Sequence, residues 1–348
     1  MADKKKQHYV PRFYLKLFSI LPKKTQLKIY NKSNNTIIPQ GPLKTQAYEN
    51  YFYDKKPEIE NSFAELEAKS ANILKEIIRT QNLPNKKEED YVTLWFFTLV
   101  QAARTKFMAI SMDNMMNNLF DTVSKHDKNL KNALENTTFN QQNTALLNLK
   151  FLLKSIHKAF DLEGKLIVNE TQKPFITSDN PVMKYNQFLE RKAHPSGRTG
   201  LSSKGLQIFY PINPKVLLML FDSKVYKVGN RKQKTIYTKE EKDIESLNLL
   251  QFINSDKVVF SNDQASDIYL KKLYTRSKKF CDAPRIAGNE TKTKNIEENT
   301  HSVLISQWSK EIEINLKLSF VKETTYAKKY ELTGYLAEIR NDDRPPIK

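Results

Sequence analysis

The spacing of apolar residues changes at Gly164, and that change limits the folds that the chain can adopt. Over residues 57–160, apolar side chains recur at the three- and four-residue spacing of helices, whereas after Gly164 short runs also alternate as in strands. The predicted helices span residues 57–81, 87–121, 141–160, 239–254 and 263–279, and the predicted strands include a hairpin at 26–38 and segments at 165–168, 207–212 and 216–221. We therefore expect an α+β fold, with an N-terminal hairpin, a central helical region and a C-terminal mixed sheet with helices.

The composition shifts near residue 283, which predicts a boundary there. Residues 286–300 are polar and linker-like, and residues 313–318 then alternate between polar and apolar, as a strand does. We predict an α+β core domain of residues 8–282, followed at residues 283–348 by a linker and a small strand-rich C-terminal appendage.

Glycine and cysteine are scarce, which excludes several kinds of site. The chain has 8 Gly and contains neither G-x-G-x-x-G nor G-x-x-x-x-G-K, so no glycine loop for phosphate is predicted. The single Cys281 excludes an internal disulfide and a cysteine zinc site, and it favours a reducing cytoplasm. No apolar run is long enough to cross a membrane or to act as a signal peptide. We therefore expect a cytoplasmic protein with no membrane partner.

The positive charge is concentrated in two segments. Residues 1–57 hold 12 Lys or Arg and 3 Asp or Glu, and residues 184–234 hold 11 and 2, so each segment has a net charge of +9. Together they account for the whole formal charge of +18. One interpretation is a basic face for a phosphate-rich partner, DNA or RNA, with Lys224, Lys227, Arg231 and Lys232 as contacts. The alternative is that Lys is simply the usual surface residue of this protein.

The stretch Phe175-Ile176-Thr177-Ser178-Asp179-Asn180-Pro181-Val182 is predicted to be a strand that ends in a sharp turn. Asp179 and Asn180 would then lie at the strand end, where a fold often presents chemical groups. The alternative is an Asx turn, in which the Asp179 carboxylate only accepts backbone N–H bonds.

A scattered set of polar residues lies beside strongly apolar neighbours and supplies the candidate catalytic groups. The set is His8, Glu60, Glu67, Arg104, Asp179 and Asn180. Buried carboxylates must be paired or protonated, and Arg104 is a suitable partner for Glu60 or Glu67 because guanidinium can hold a carboxylate by two bonds. The structural alternative is an ionic network that ties helices to the sheet without chemistry.

Several of these residues belong to motifs that resemble a known family. The motifs are HYVPRFYL at residues 8–15, NYFY at 50–53, Glu60 with Glu67, QAART at 101–105 and FITSDNPV at 175–182. They resemble the bacterial domain-of-unknown-function family 4238, over roughly residues 8–270. The resemblance implies no established activity, but it implies a setting, because some members act in defence against bacteriophages. It says nothing about the residues after 283.

Three functional hypotheses follow. The first is a defence enzyme that acts on nucleic acid, a metal-dependent nuclease in which Asp179 with Glu67 or Glu60 holds Mg²⁺. His8 would be a general acid or base, with a metal-free variant, and Arg104 would stabilise the developing charge. The second is a non-catalytic sensor or binding module for a phage-encoded trigger or a nucleic acid. The third is an enzyme acting on a nucleotide or small phosphorylated ligand near Asp179.

Overall fold

The computed structural model describes residues 5–53, 57–126, 141–195, 197–280, 286–295, 300–309, 311–335 and 337–341. These residues mix helices with several sheets, which confirms the α+β prediction. None of the helices in these ranges is both long enough and apolar enough to span a bilayer. Cys281 lies outside the described residues.

The helices are α1 (Arg12–Leu15), α2 (Pro57–Thr80), α3 (Glu89–Ala103), α4 (Lys106–His126), α5 (Gln141–Ser155), α6 (Gln187–Arg191), α7 (Glu241–Asn254), α8 (Asp267–Lys278) and α9 (Thr325–Lys329). α2 begins at Pro57, whose fixed φ suits a first helical position. Its apolar stripe buries Phe63, Ile73, Leu74 and Ile77 in the core. α3 is buried along most of its length and packs against α2 and α5.

The strands are β1 (Lys6–His8), β2 (Gln26–Asn31), β3 (Thr36–Pro42), β4 (Tyr48–Asn50), β5 (Glu163–Asn169), β6 (Thr177–Ser178), β7 (Met183–Tyr185), β8 (Gln207–Pro211), β9 (Val216–Phe221), β10 (Tyr226–Val228), β11 (Thr235–Thr238), β12 (Val258–Ser261), β13 (Ile286–Asn295), β14 (Thr300–Ser309) and β15 (Val321–Glu323). One sheet has the order β11-β5-β9-β8-β7, in which only β11 runs parallel to its neighbour. Another has the order β3-β2-β12-β6, so the predicted N-terminal hairpin is confirmed and extended by β12 and β6.

The single helix predicted at 87–121 is wrong, because the helix breaks at Arg104 and Thr105 between α3 and α4. Arg104 leaves the helical conformation, with φ of −89° and ψ of 5°, and its carbonyl accepts a hydrogen bond from the Tyr53 hydroxyl at 2.9 Å. The Thr105 hydroxyl accepts the N–H of Met108 at 3.3 Å, as a helix N-cap does, and donates to Oδ1 of Asn180 at 3.1 Å. Tyr53 and Asn180 are distant in sequence from the break, so local spacing could not reveal it.

Two predictions for the C-terminal residues are also corrected. Residues 286–295, predicted to be part of a linker, form β13 and pair along their length with β14; backbone bonds hold such a ladder even where residues are polar. Residues 313–318, predicted as a strand, lie in no strand ladder, and Asn315 has a φ of 50°, which interrupts an extended backbone. The N–H groups of Ile314 and Asn315 instead donate to the side chains of Tyr185 and Glu190, at 3.0 and 2.8 Å.

The segment after residue 310 packs on the rest of the chain. Leu316, Leu318 and Phe320 are buried in a core cluster with Phe209 and Met219 of the five-stranded sheet. β15 adds an antiparallel partner to β10. The domain boundary at 283 stays a prediction, but residues 311–330 share the hydrophobic core of the preceding residues.

Candidate functional site

Arg104 is the centre of a buried polar cluster at the end of α3. Its Nη2 donates to Oε1 of Glu67 at 2.6 Å, and its Nε donates to the carbonyl of Tyr9 at 3.4 Å. The guanidinium carbon lies 4.7 Å from the ring centroid of Phe63, which packs one face of the cation. Burial lowers the pKa of Arg104, but the neighbouring Tyr53 and Glu67 more than offset this and hold it above its usual range. The predicted pairing of Arg104 with Glu67 is therefore confirmed.

His8 ends β1 close to this cluster. Burial is the main cause that lowers its pKa to about 4, and the positive charges of Arg12 and Arg104 lower it further. A hydrogen bond with the backbone of Lys44 opposes the shift. The imidazole is therefore neutral at pH 7. A neutral imidazole can accept a proton, which is the role of general base that the sequence predicted.

Asp179 serves as a backbone acceptor. Its Oδ1 accepts the N–H of Asp256 at 2.9 Å, and its Oδ2 accepts those of Lys257 and Val258 at 2.7 and 3.0 Å. Burial raises the pKa of Asp179 to about 6, although these N–H groups oppose that rise by stabilising the anion. The carboxylate thus holds the entry to β12, which matches the turn-acceptor alternative, although its partners lie on a distant segment.

Asn180 connects three segments through its amide and its backbone. Its Oδ1 accepts from the Thr105 hydroxyl, and its Nδ2 donates to the carbonyl of Asn254 at 3.0 Å. Its own carbonyl accepts from Nε2 of Gln251 at 3.0 Å and Nδ2 of Asn254 at 2.7 Å. These bonds fix the end of β6 against α7 and the break between α3 and α4.

The structure brings most of the predicted catalytic set to one neighbourhood. The Arg104 guanidinium contacts the backbone of the 8–9 segment, and Thr105 contacts Asn180. Burial is the main cause that raises the pKa of Tyr9, and the nearby Asp179 carboxylate raises it further, which places the predicted strand end beside the N-terminal segment. Burial likewise raises the pKa of Tyr53, and Glu60 on α2 is close enough to add a smaller increase.

Asp179 and Glu67, the carboxylates that the sequence pairs for Mg²⁺, do not fit a metal site in this arrangement. Both oxygens of Asp179 accept backbone N–H bonds, and Oε1 of Glu67 accepts from Arg104. Over the part of the chain that the structure describes, no three His, Cys, Asp or Glu side chains are grouped to hold an ion. Mg²⁺ binding therefore stays a prediction without support from this geometry.

Four buried polar atoms around Arg104 have no hydrogen-bond partner within the described residues. They are Nη1 of Arg104, Oε1 of Gln101, Nε2 of His8 and the hydroxyl of Tyr210. Tyr210 and Arg104 are close enough to influence each other's pKa, and Nε2 of Gln101 donates to the same Tyr9 carbonyl as Arg104. The guanidinium nitrogen donates, the Gln101 oxygen accepts, and the imidazole nitrogen and the hydroxyl can each do either, so the four atoms could bind internal water or a small polar group.

A second candidate site is a cavity of about 490 Å³ whose charged lining residues are almost all cations. It lies between the loop at 83–86, the start of β5, the end of β9, β10 and the loop at 231–234. Six Lys or Arg side chains and one carboxylate, Glu163, line it; the cations are Lys86, Lys165, Lys227, Arg231, Lys232 and Lys234. We call it the basic cavity. Such a lining attracts anions strongly.

Two of these lysines shape the cavity through hydrogen bonds to its loops. Nζ of Lys165 donates to the carbonyls of Asn230 and Gln233, both at 2.5 Å, and these two bonds fix the loop that contains both residues. Nζ of Lys234 donates to Oδ1 of Asn85 at 2.5 Å and to the carbonyl of Pro84 at 3.3 Å. The loop before β11 is therefore tied to the 83–86 loop, which closes one side of the cavity.

Three of the four predicted nucleic-acid contacts, Lys227, Arg231 and Lys232, line the basic cavity. The fourth, Lys224, lies outside it and donates from Nζ to Oδ1 of Asn341 at 2.6 Å. As far as the described residues go, the basic segment at 1–57 adds no side chain to the lining. The cavity is thus built from the second basic segment together with residues that carry no sequence signal, such as Lys86.

Tyr91 also lines the basic cavity, and sequence reasoning missed it. Its side chain is 3% exposed, and its hydroxyl is buried with no partner among the described residues. A Cβ at Gly164 would lie 2.8 Å from this hydroxyl and would force it to shift. Tyr91 is in the first turn of α3 and Arg104 follows its last residue, which separates them by about 20 Å at about 1.5 Å per residue. The Arg104 cluster and the basic cavity are therefore separate sites.

Comparison with known proteins adds a family and no mechanism. A family model described as "Protein of unknown function (DUF4238)" matches residues 6–265, well over half of the chain. The match includes the Arg104 cluster and the basic cavity. No curated protein and no solved structure matches the chain.

Proposed function

We propose that this chain, which belongs to the family described as protein of unknown function (DUF4238), binds nucleic acid and that its basic cavity holds the nucleic-acid phosphates. The observation that carries the proposal is the lining of that cavity, with six cations and one carboxylate. The proposal corresponds to the second hypothesis from the sequence, a non-catalytic binding module, with nucleic acid as the phosphate-rich partner.

The electrostatics of the cavity support binding of a polyanion. Lys227, Arg231 and Lys232 are exposed, and within the described ranges none of them forms an ion pair. Their charges are therefore available to a ligand without breaking an existing pair. Each phosphate that they neutralise releases condensed counterions, which favours binding at low salt.

Hydrolysis at the Arg104 cluster is a second candidate. The specific observation is a neutral His8 beside Arg104, with Nε2 of the imidazole unpartnered within the described residues. A neutral imidazole could take a proton from water, and the cation could stabilise the negative charge that develops. This candidate uses no metal. The cluster lies about 20 Å from the basic cavity along α3, so this candidate uses a different site from the binding proposal.

The test of the binding proposal is a salt titration with charge-reversal variants. The full chain should bind labelled DNA or RNA at low salt, with a slope of log affinity against log salt of about −0.9 per duplex phosphate contact. The triple variant Lys227→Glu, Arg231→Glu, Lys232→Glu should lose binding to all sequences alike. The matched control Lys271→Glu, on the exposed face of α8, should bind as the unmodified chain does.

No measurable binding of DNA or RNA at low salt would overturn the proposal. Binding that is equally lost in the Lys271→Glu control would show a nonspecific effect of net charge and would also overturn the assignment to the cavity. The proposal extends to a cytoplasmic, antiviral setting with a phage component as trigger. There the triple variant should fail to protect cells in a plaque assay in which the unmodified chain protects.

A further inference from the structure

We propose that the basic cavity receives the terminal phosphate of a strand or nucleotide, rather than phosphodiesters in the interior of a strand. The inference rests on the proposed function, since it assigns the substrate class of the same cavity. It depends on the shape of the cavity and on two buried donors in its lining.

The cavity is closed on one side and open on another, a shape that suits the end of a strand. Its volume of about 490 Å³ lies within the range of small-molecule sites, about 300–1,000 Å³. Lys234 bridges its loop to Asn85 and closes one side, and the Lys165 ammonium holds the same loop from within. An interior phosphodiester must enter and leave on two sides, whereas a terminal group needs a single opening.

The buried donors fit a group that reaches the inner wall. The Lys165 residue is 6% exposed, and its ammonium spends two of its three N–H donors on the carbonyls of Asn230 and Gln233. One donor remains. The Tyr91 hydroxyl, which is buried behind the lining and has no partner within the described residues, supplies another donor to a group that reaches this depth. The exposed Lys227 and Arg231 lie on the outer part, where they meet the rest of the ligand.

The charge of a terminal phosphate matches this lining better than that of an interior one. A phosphomonoester carries about −1.5 to −2 charges at pH 7 and three terminal acceptor oxygens. An interior phosphodiester carries one charge. The lining has six cations and one carboxylate, so the more highly charged group gains more from entering.

The experiment compares ligands that differ only at the end. Short labelled single strands of DNA and RNA carry a 5′-phosphate, a 3′-phosphate or hydroxyls at both ends, and binding is measured by anisotropy. We expect one phosphorylated end to bind about tenfold more tightly than the hydroxyl-ended strand. Competition with a nucleoside monophosphate and with inorganic phosphate then separates a free nucleotide from a strand end. Full displacement by the mononucleotide supports the proposal and assigns a free nucleotide, and weak displacement supports it and assigns the strand end.

Tyr91→Phe tests the role of the hydroxyl without damaging the fold. Because that hydroxyl is unpartnered in the free protein, its removal should leave the melting temperature unchanged or raise it. The preference for the phosphorylated end should fall about fivefold, while binding of the hydroxyl-ended strand stays the same. The control Tyr274→Phe removes a hydroxyl bonded to the carbonyl of Lys32, away from the cavity, and should keep the full preference.

Gly164→Ala provides a second test, since its Cβ would displace the Tyr91 hydroxyl. It should reduce the preference as Tyr91→Phe does, whereas the exposed Gly200→Ala should not. Equal affinity for phosphate- and hydroxyl-ended strands would overturn the terminal-phosphate proposal while leaving nucleic-acid binding intact. A preference that survives in both Tyr91→Phe and the triple charge variant would overturn the assignment to this cavity. Failure to bind any strand would instead overturn the proposed function.

Discussion

Nη2 of Arg104 lies 2.6 Å from Oε1 of Glu67, and the two partners are buried to very different degrees. The Arg104 side chain is completely buried, whereas 27% of the Glu67 side chain is exposed. The carboxylate therefore keeps part of its hydration, while the guanidinium depends on Glu67, on backbone carbonyls and on the ring of Phe63. Loss of Glu67 therefore leaves a buried, unpaired cation, whereas loss of Arg104 leaves a carboxylate that water can still reach.

Substitution of either partner should destabilise the fold, and the two losses should not add. Arg104→Met removes the buried cation and its bonds to Tyr9 and Glu67, and should lower the unfolding free energy by about 3 kcal/mol. Glu67→Gln leaves a buried cation without a counter-charge and should cost about 2–3 kcal/mol. The double variant should lose at least about 1 kcal/mol less than the sum, measured by urea unfolding. Strictly additive losses would show that the pair is not coupled.

The segment after residue 310 should behave as part of the core. Leu318 is 5% exposed and packs in the core cluster that contains Phe209 and Met219. The hydroxyl of the adjacent Ser319 donates to Asp243 at 2.5 Å. Leu318→Ala should lower the unfolding free energy of the whole chain by about 2–4 kcal/mol in one transition. The neighbouring, exposed Lys317→Ala should have almost no effect. A separate early transition with an unchanged main one would show that the segment unfolds independently.

The sequence predicted the elements that depend on local spacing. The hairpin of β2 and β3 and the long α2 follow from alternation and from a helical stripe, and both are present. The break at Thr105 was missed because it depends on Asn180, far along the chain. Alternation over residues 313–318 predicts a strand because it shows which side chains are buried, but it does not show whether a neighbouring strand supplies the hydrogen bonds.

The same limit applies to the candidate sites. Local charge density identified Lys227, Arg231 and Lys232, and all three line one cavity. Tyr91 and Lys165 could not be found in this way, because a tyrosine at helical spacing and a lysine in a strand carry no signal until the fold brings them together. Asp179 was recognised as important, but only the structure shows that its partners are the N–H groups of residues 256–258.

The last prediction concerns the opposite pH dependences of Asp179 and His8. Asp179 has a folded pKa of about 6, above its unfolded value of about 3.9, so the folded state binds the extra proton between about pH 4 and 6. Its contribution to stability is full below pH 4 and is lost as the pH rises to 6. His8 has a folded pKa of about 4, below its unfolded value of about 6.5, so the unfolded state binds the extra proton. Its contribution therefore increases between about pH 4 and 6.5, and the two slopes oppose each other.

Single substitutions should separate these slopes. Relative to the unmodified chain, Asp179→Asn should show an unfolding free energy that rises by about 1–3 kcal/mol from pH 4 to 6, because the loss due to Asp179 is gone. His8→Gln should show a fall of similar size. Asp263→Asn, at an exposed carboxylate, should follow the unmodified chain throughout. Urea unfolding at half-unit pH steps measures each difference. Parallel curves for Asp179→Asn and the unmodified chain would mean that the Asp256, Lys257 and Val258 N–H groups stabilise the anion enough to cancel the effect of burial.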